Sequence, residues 1–109
     1  MPAKRAAFDG YAYSAYNNQV TSDFDPKKDA VNLKKHGVSL SEGDGVLNDP
    51  LAITVEDAAA EGEQRFVTIG MNVFGSLMVV VHTPRGDRVR IISARKADAK
   101  ERKAYEEGL

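Results

Sequence analysis

The feature that most constrains this chain is a change of period near residue 50. Four segments follow it, "LAITVED" (51–57), "RFVTIGM" (65–71), "SLMVVVHT" (76–83) and "RVRIISAR" (88–95). Each is rich in β-branched and apolar residues, which favours strands. "NVFG" and "TPRGD" are short enough for hairpin connections, with Pro84 presetting the first turn position and Gly86 free to take positive φ. An antiparallel meander is the simplest arrangement. The first two segments are joined by a longer acidic link, "EDAAAEGE" (56–63).

Helical signals lie on either side. Asp25 is a good N-cap and Pro26 suits the first helical position, where its missing N–H costs nothing. Gly37 supplies a left-handed C-cap, so a helix is expected over about 26–36, with Ala30, Leu33 and the stem of Lys34 facing inward. Ser39 and Glu42 have capping-box spacing for a second helix at 40–48, weakened by Gly43 and Gly45 and ended by Asn48-Asp49-Pro50. Asp98 and Glu101 repeat that spacing before a helix at about 98–107. Helices segregated from a run of strands predict an α+β fold: two N-terminal helices, a four-stranded antiparallel sheet and a C-terminal helix. Residues 1–22 show no sustained period. They read as an N-terminal extension, poorly ordered or forming a short docked helix, ahead of a single domain at 23–109.

Composition excludes several chemistries. The chain has no cysteine, which rules out disulfides, a thiol nucleophile and thiolate metal sites. Its two histidines, His36 and His82, are far apart, so no dedicated metal site and no cofactor are expected. Phosphate-loop, dinucleotide and nucleophile-elbow motifs are absent, as is a helix-turn-helix pattern. No signal peptide or membrane-length apolar run is visible, and a cytoplasmic location is expected.

The net charge of −1 conceals a segregation. Residues 41–64 hold seven acids and no lysine or arginine, whereas residues 85–103 hold eight bases against three acids. One face can therefore be basic in a neutral protein. Strand alternation puts Arg88 and Arg90 on one face and Arg95 on the other, unless a bulge intervenes. Arg95 ends the last strand, and Tyr105 follows on the last helix, where it can share a side with Glu101 or Arg102. Guanidinium forks and a tyrosine hydroxyl suit RNA cleavage without metal: cations stabilise the charged phosphorane while other groups handle the 2′-hydroxyl and the leaving 5′-oxygen. The same residues could instead staple the helix to the sheet. His36 reads either as a cation complementing the helix C-terminus or as a proton donor or phosphate contact. His82 reads as a hydrogen-bonded strand histidine or as a catalyst.

Several segments together resemble the BrnT family of type II toxins: "FDPKKDAVNLKKHGVS", "DP" at 49–50, "RFVTIG", "VVVHT" and "RVRIISARKADAKERKAY". The resemblance runs over about residues 23–105. It departs at "SLSEGDGV", where glycines stand in place of better helix formers. It implies a RelE-like fold and a metal-independent endoribonuclease that inhibits translation. It also implies a BrnA-type antitoxin with a ribbon-helix-helix part, expected to hold two toxins per antitoxin dimer and to make the only contact with operator DNA. Expected catalytic residues are Arg65, Arg95 and Tyr105, with His36 and His82 secondary. Lys34, Lys35, Arg90 and Lys96 are the expected RNA contacts. The competing reading is a non-catalytic adaptor that docks an acidic partner on its basic face.

Overall fold

A computed structural model describes residues 5–6 and 19–108. Most of the expected extension at 1–22 therefore lies outside the described residues. In chain order the elements are β1 (Arg5–Ala6), β2 (Ser22–Phe24), α1 (Pro26–His36), a 3-10 turn (Leu40–Glu42), α2 (Gly43–Leu47), β3 (Ile53–Glu56), β4 (Phe66–Met71), β5 (Leu77–Arg85), β6 (Arg88–Lys96) and α3 (Ala99–Glu107). The class is α+β, and the expected meander β3-β4-β5-β6 is antiparallel. The sheet is wider than four strands, however, with order β1-β3-β4-β5-β6-β2. The two short edge strands pair in parallel, β1 with β3 and β2 with β6. Strands of two and three residues are too short to show an alternating pattern, so periodicity could not reveal them.

One face of the sheet carries the core. Met78, Val80, Val89, Ile91, Ala94 and Phe66 pack against Leu40, Val46 and Leu47 of the 3-10 turn and α2, with Val20 joining them. Glycine makes this close approach possible. A Cβ on Gly43 would stand 3.0 Å from Ile91 Cδ1, and one on Gly70 would stand 2.9 Å from the Val46 carbonyl oxygen. Gly43, which weakens α2 as an isolated helix, is thus also what lets it lie on the strands. Its start also differs from expectation. Ser39 accepts from the Ser41 amide, but Glu42 turns away from the cap and accepts from Asn72 Nδ2 at 3.0 Å, so no reciprocal capping box forms. That box does form at α3, between Asp98 and Glu101.

Within the core a polar chain crosses three strands. Thr54 and Thr68 hydroxyls are 2.7 Å apart, and Thr68 Oγ1 lies 2.8 Å from His82 Nε2. His82 is 0% exposed and stacks on Phe66.

Helix α1 corrects the expected inward stripe. Ala30 and Lys34 are exposed, Val31 is 64% and Leu33 51% exposed, and the buried residue of this helix is Asn32. The reason lies in what the helix meets. It sits beside the outer edge of β6, which presents unpaired backbone groups rather than an apolar surface. Asn32 Nδ2 donates to the Ala94 carbonyl at 2.8 Å, and its Oδ1 accepts from the Ala94 amide at 3.2 Å. Nδ2 also donates to the Val38 carbonyl at 3.0 Å. The side-chain amide thus completes the ladder just beyond β2, which covers Val89 to Ile91. Asn48 does the same for Val20, accepting from its amide at 2.6 Å and donating to its carbonyl at 3.0 Å.

The β5–β6 hairpin holds two further departures. Pro84 is a strand residue opposite Val89, and the turn itself is Gly86-Asp87, with Gly86 at φ 63°. Val81 opposes Ser93 while His82 opposes Ile91, so Ile92 is an extra residue in β6. This bulge reverses the alternation and brings Arg95 to the same face as Arg88 and Arg90.

Replacing Asn32 by alanine removes three buried hydrogen bonds and leaves the Ala94 and Val38 backbone groups without partners. A loss of about 3 kcal/mol is expected, read as a lower urea midpoint with an unchanged slope. Asn32→Asp, of equal size, should be no better, because an oxygen would then face two carbonyls.

Candidate functional site

The face opposite the core carries the basic groups. Arg65 immediately precedes β4, in line with the row Thr83–Arg90–Asp23 across β5, β6 and β2. Arg85 and Arg88 face each other one row further out. Lys28 reaches the same place from the first turns of α1, which runs along the β6 edge. Together Lys28, Arg65, Arg85 and Arg90 line a pocket of about 140 Å³ with Asp25, Glu63, Ile91 and Ile92. Four cations against two carboxylates give it a net positive charge. Its size suits a phosphodiester group rather than a buried metabolite.

The pairing within this pocket is uneven. Arg85 Nη1 meets Glu63 at 2.9 Å, and Asp25 caps α1 by accepting from the Lys27 amide. Arg90 Nε donates to Asp23 Oδ1 at 2.8 Å, and Arg88 Nε lies 3.4 Å from Asp23 Oδ2. The hydrogen bond from Arg90 holds the Asp23 carboxyl below the usual aspartate value, so it is ionised at neutral pH. Arg65 is different. Its Nε is buried and has no hydrogen-bond partner among the described residues. A buried unpaired donor costs about 1–3 kcal/mol, and functional sites are where such a cost is commonly retained.

Arg95 and Tyr105 form a second group on this face. Arg90 and Arg95 stand opposite Thr83 and Val79, four residues apart on β5, or about 13 Å at strand rise. Arg95 makes a two-point ion pair with Glu101, Nη1 to Oε1 at 2.8 Å and Nη2 to Oε2 at 2.6 Å. Tyr105 donates its hydroxyl to Asp49 Oδ2 at 2.6 Å, and the same oxygen accepts from the Met71 amide at 2.8 Å. These contacts anchor α3 across the end of the sheet. The expected trio of Arg65, Arg95 and Tyr105 therefore shares one face but not one cluster.

The remaining expected residues disperse. His82 lies in the core, so its expected secondary catalytic role is corrected to a structural one: a fully buried ring cannot touch an RNA chain. Lys34, Lys35 and His36 end α1, at the opposite end from Lys28. From Asn32, opposite Ala94, one helical turn advances about 6 Å, as do two strand residues, bringing His36 level with Lys96. Lys34, Lys35 and Lys96 are exposed there. Sequence reasoning missed Lys28, Arg85 and Asp23. Lys28 stood in the sequence only as one lysine of the first helix and Arg85 only as one base of the 85–103 block, and Asp23 belongs to a strand too short to detect. Among the described residues no cluster of histidine and carboxylate groups could hold a metal ion, and no helix is long and apolar enough to cross a membrane.

Comparison with known proteins gives this basic face its context. Residues 24–101 match the family described as the ribonuclease toxin BrnT of type II toxin-antitoxin systems. The fold is similar to the crystal structure of the Brucella abortus ribonuclease toxin BrnT, with a TM-score of 0.54 and 20% identity over 73% of this chain and 99% of that one. A search of curated proteins finds no match. The class is thus a ribonuclease toxin of a type II toxin-antitoxin system. The family match covers most of the chain, and the chain belongs to the BrnT family.

The Arg95–Glu101 pair sets a pH dependence. Hydrogen bonds from Arg95 hold the Glu101 carboxyl below its ordinary 4.5, so the stabilisation is fully present above that value and is lost as pH falls through the lower folded-state value. Arg95→Gln should cost about 1 kcal/mol at neutral pH. The difference from wild type should shrink toward zero in acid, as followed by urea unfolding across a pH series.

Proposed function

We propose that the pocket of Lys28, Arg65, Arg85 and Arg90 grips the scissile phosphate of RNA and that cleavage there needs no metal. The Arg65 guanidinium, whose buried Nε has no partner among the described residues and which is set among three further cations, carries this reading. In the reaction the 2′-oxygen attacks phosphorus and the bond to the 5′-oxygen breaks. The 2′-hydroxyl loses its proton and the 5′-oxygen gains one, leaving a 2′,3′-cyclic phosphate and a 5′-hydroxyl. The pocket suits stabilisation of the charge on the phosphorane. Both carboxylates at its rim are engaged, Asp25 as a helix cap and Glu63 with Arg85, and both histidines lie elsewhere. Preorganised cations are commonly the largest single contribution in such chemistry. Arg95 and Tyr105 frame the far end of the same face, with Lys34, Lys35, His36 and Lys96 beside it as contacts for flanking phosphates.

Translation arrest follows from RNA loss, and the cytoplasm is where that substrate is found. We further propose a BrnA-type ribbon-helix-helix antitoxin as the neutralising partner. One antitoxin dimer holds two toxins, and operator DNA is touched through the antitoxin alone. An acidic segment laid over the basic face would exclude RNA, and its grip should weaken with salt.

Labelled RNA incubated with purified protein should be cut equally well with and without EDTA. Arg65→Gln should lower kcat/KM by about 10²-fold, the usual scale for losing one charge-stabilising donor. Arg95→Lys and Tyr105→Phe should reduce stability more than cleavage. Binding of RNA without cleavage would instead support an adaptor. Saturating antitoxin should abolish cleavage, and unchanged cleavage in the saturated complex would refute neutralisation by direct binding.

A further inference from the structure

The pairing of Arg88 and Arg90 is specific in its atoms. Asp23 takes both arginines through Nε, one on each carboxylate oxygen. Arg88 also reaches the Ser22 carbonyl through Nη2 at 3.4 Å, whereas the described residues make no hydrogen bond to the terminal nitrogens of Arg90. A guanidinium held at Nε has its plane fixed while its outer fork stays open for a second anion. Asp23 is itself fixed, because β2 pairs with β6 so that Asp23 stands opposite Arg90.

We infer that Asp23 is a positioning residue that holds the Arg90 fork, and secondarily Arg88, toward RNA phosphate. This rests on the reading of the pocket as the phosphate site. It assigns the edge strand β2 a part in RNA recognition: the strand delivers one carboxylate to the back of the arginine pair. A carboxylate beside a cationic pocket would otherwise only weaken anion binding. Simple charge counting therefore gives the opposite expectation, in which removing Asp23's charge strengthens the grip on RNA.

The test measures binding of a short fluorescein-labelled 2′-O-methyl RNA of mixed sequence, which cannot be cleaved, by anisotropy at fixed salt. Asp23→Asn keeps the size and the backbone pairing of β2 while removing the charge. It should weaken binding about tenfold, the scale of one charge-assisted hydrogen bond. With cleavable RNA it should raise KM more than it lowers kcat. In an Arg90→Gln background the same change should have little further effect. Unchanged or tighter binding by Asp23→Asn overturns the proposal, as does a full effect that persists without Arg90. If Asp23→Asn fails to fold, Arg90→Lys carries the test. Lysine has no Nε contact separate from its charged end, so Asp23 would draw that end away from the pocket, and binding should fall as far as with Arg90→Gln. Binding retained by Arg90→Lys overturns the proposal. Arg65→Gln in parallel separates the two claims, because unchanged binding there rejects the pocket itself rather than Asp23's part in it.

Discussion

The architecture depends on one side-chain amide. Asn32 meets the peptide of Ala94 as a neighbouring strand would, amide to carbonyl in both directions. A sheet edge next to a helix ordinarily leaves polar backbone groups unsatisfied, because a helix has already used its own. Here one residue of the helix supplies the missing partner. The helix can then lie against the edge with a polar stripe inward, its Val31 and Leu33 turned to solvent. Because the Lys28 end of α1 and the arginines of β6 must be in fixed relation to form a pocket, this one contact also sets the geometry of the site.

The bulge at Ile92 has a comparable effect within β6. Regular alternation would divide Arg88 and Arg90 from Arg95. One extra residue gathers all three on the face opposite the core, while Ala94 and Ile91 both stay buried. The same strand can then bury Val89, Ile91 and Ala94 on one side and carry Arg88, Arg90 and Arg95 on the other, although Ile91 and Ile92 are adjacent in the sequence. A basic surface in a protein of near-neutral charge arises this way, without any cost to the core.

Much of the scaffold was legible in the sequence. Asp25, Pro26 and Gly37 bound α1 as capping chemistry requires, and the four long strands are where alternation and β-branching put them. What was not legible depended on partners distant in the chain. The inward face of α1 reads as Ala30 and Leu33 only if a helix must bury apolar surface, and the edge of β6 removes that premise. Glu42 has capping spacing but finds Asn72 instead. The family resemblance located the ribonuclease function. It did not indicate that Arg65 and Arg95 belong to different clusters, since strand register and the bulge decide that. Asp23 could not be found by period at all, as its significance comes from a three-residue parallel pairing.

The threonine–histidine chain in the core bears on a different kind of error. Alternation forbids a strand from sliding by one residue, since that would turn its apolar set outward, but a slide of two leaves every side chain on its proper face. Thr54 and Thr68 stand opposite each other on adjacent strands, and His82 reaches Thr68 diagonally from the next strand. A two-residue slip of β4 would set Thr68 either in the place of Gly70, opposite Met78, or in the place of Phe66, opposite Glu56 and His82, and in both cases would part it from Thr54. The chain thus acts as an alignment pin, selecting one pairing from a set that the apolar pattern alone would treat as equal.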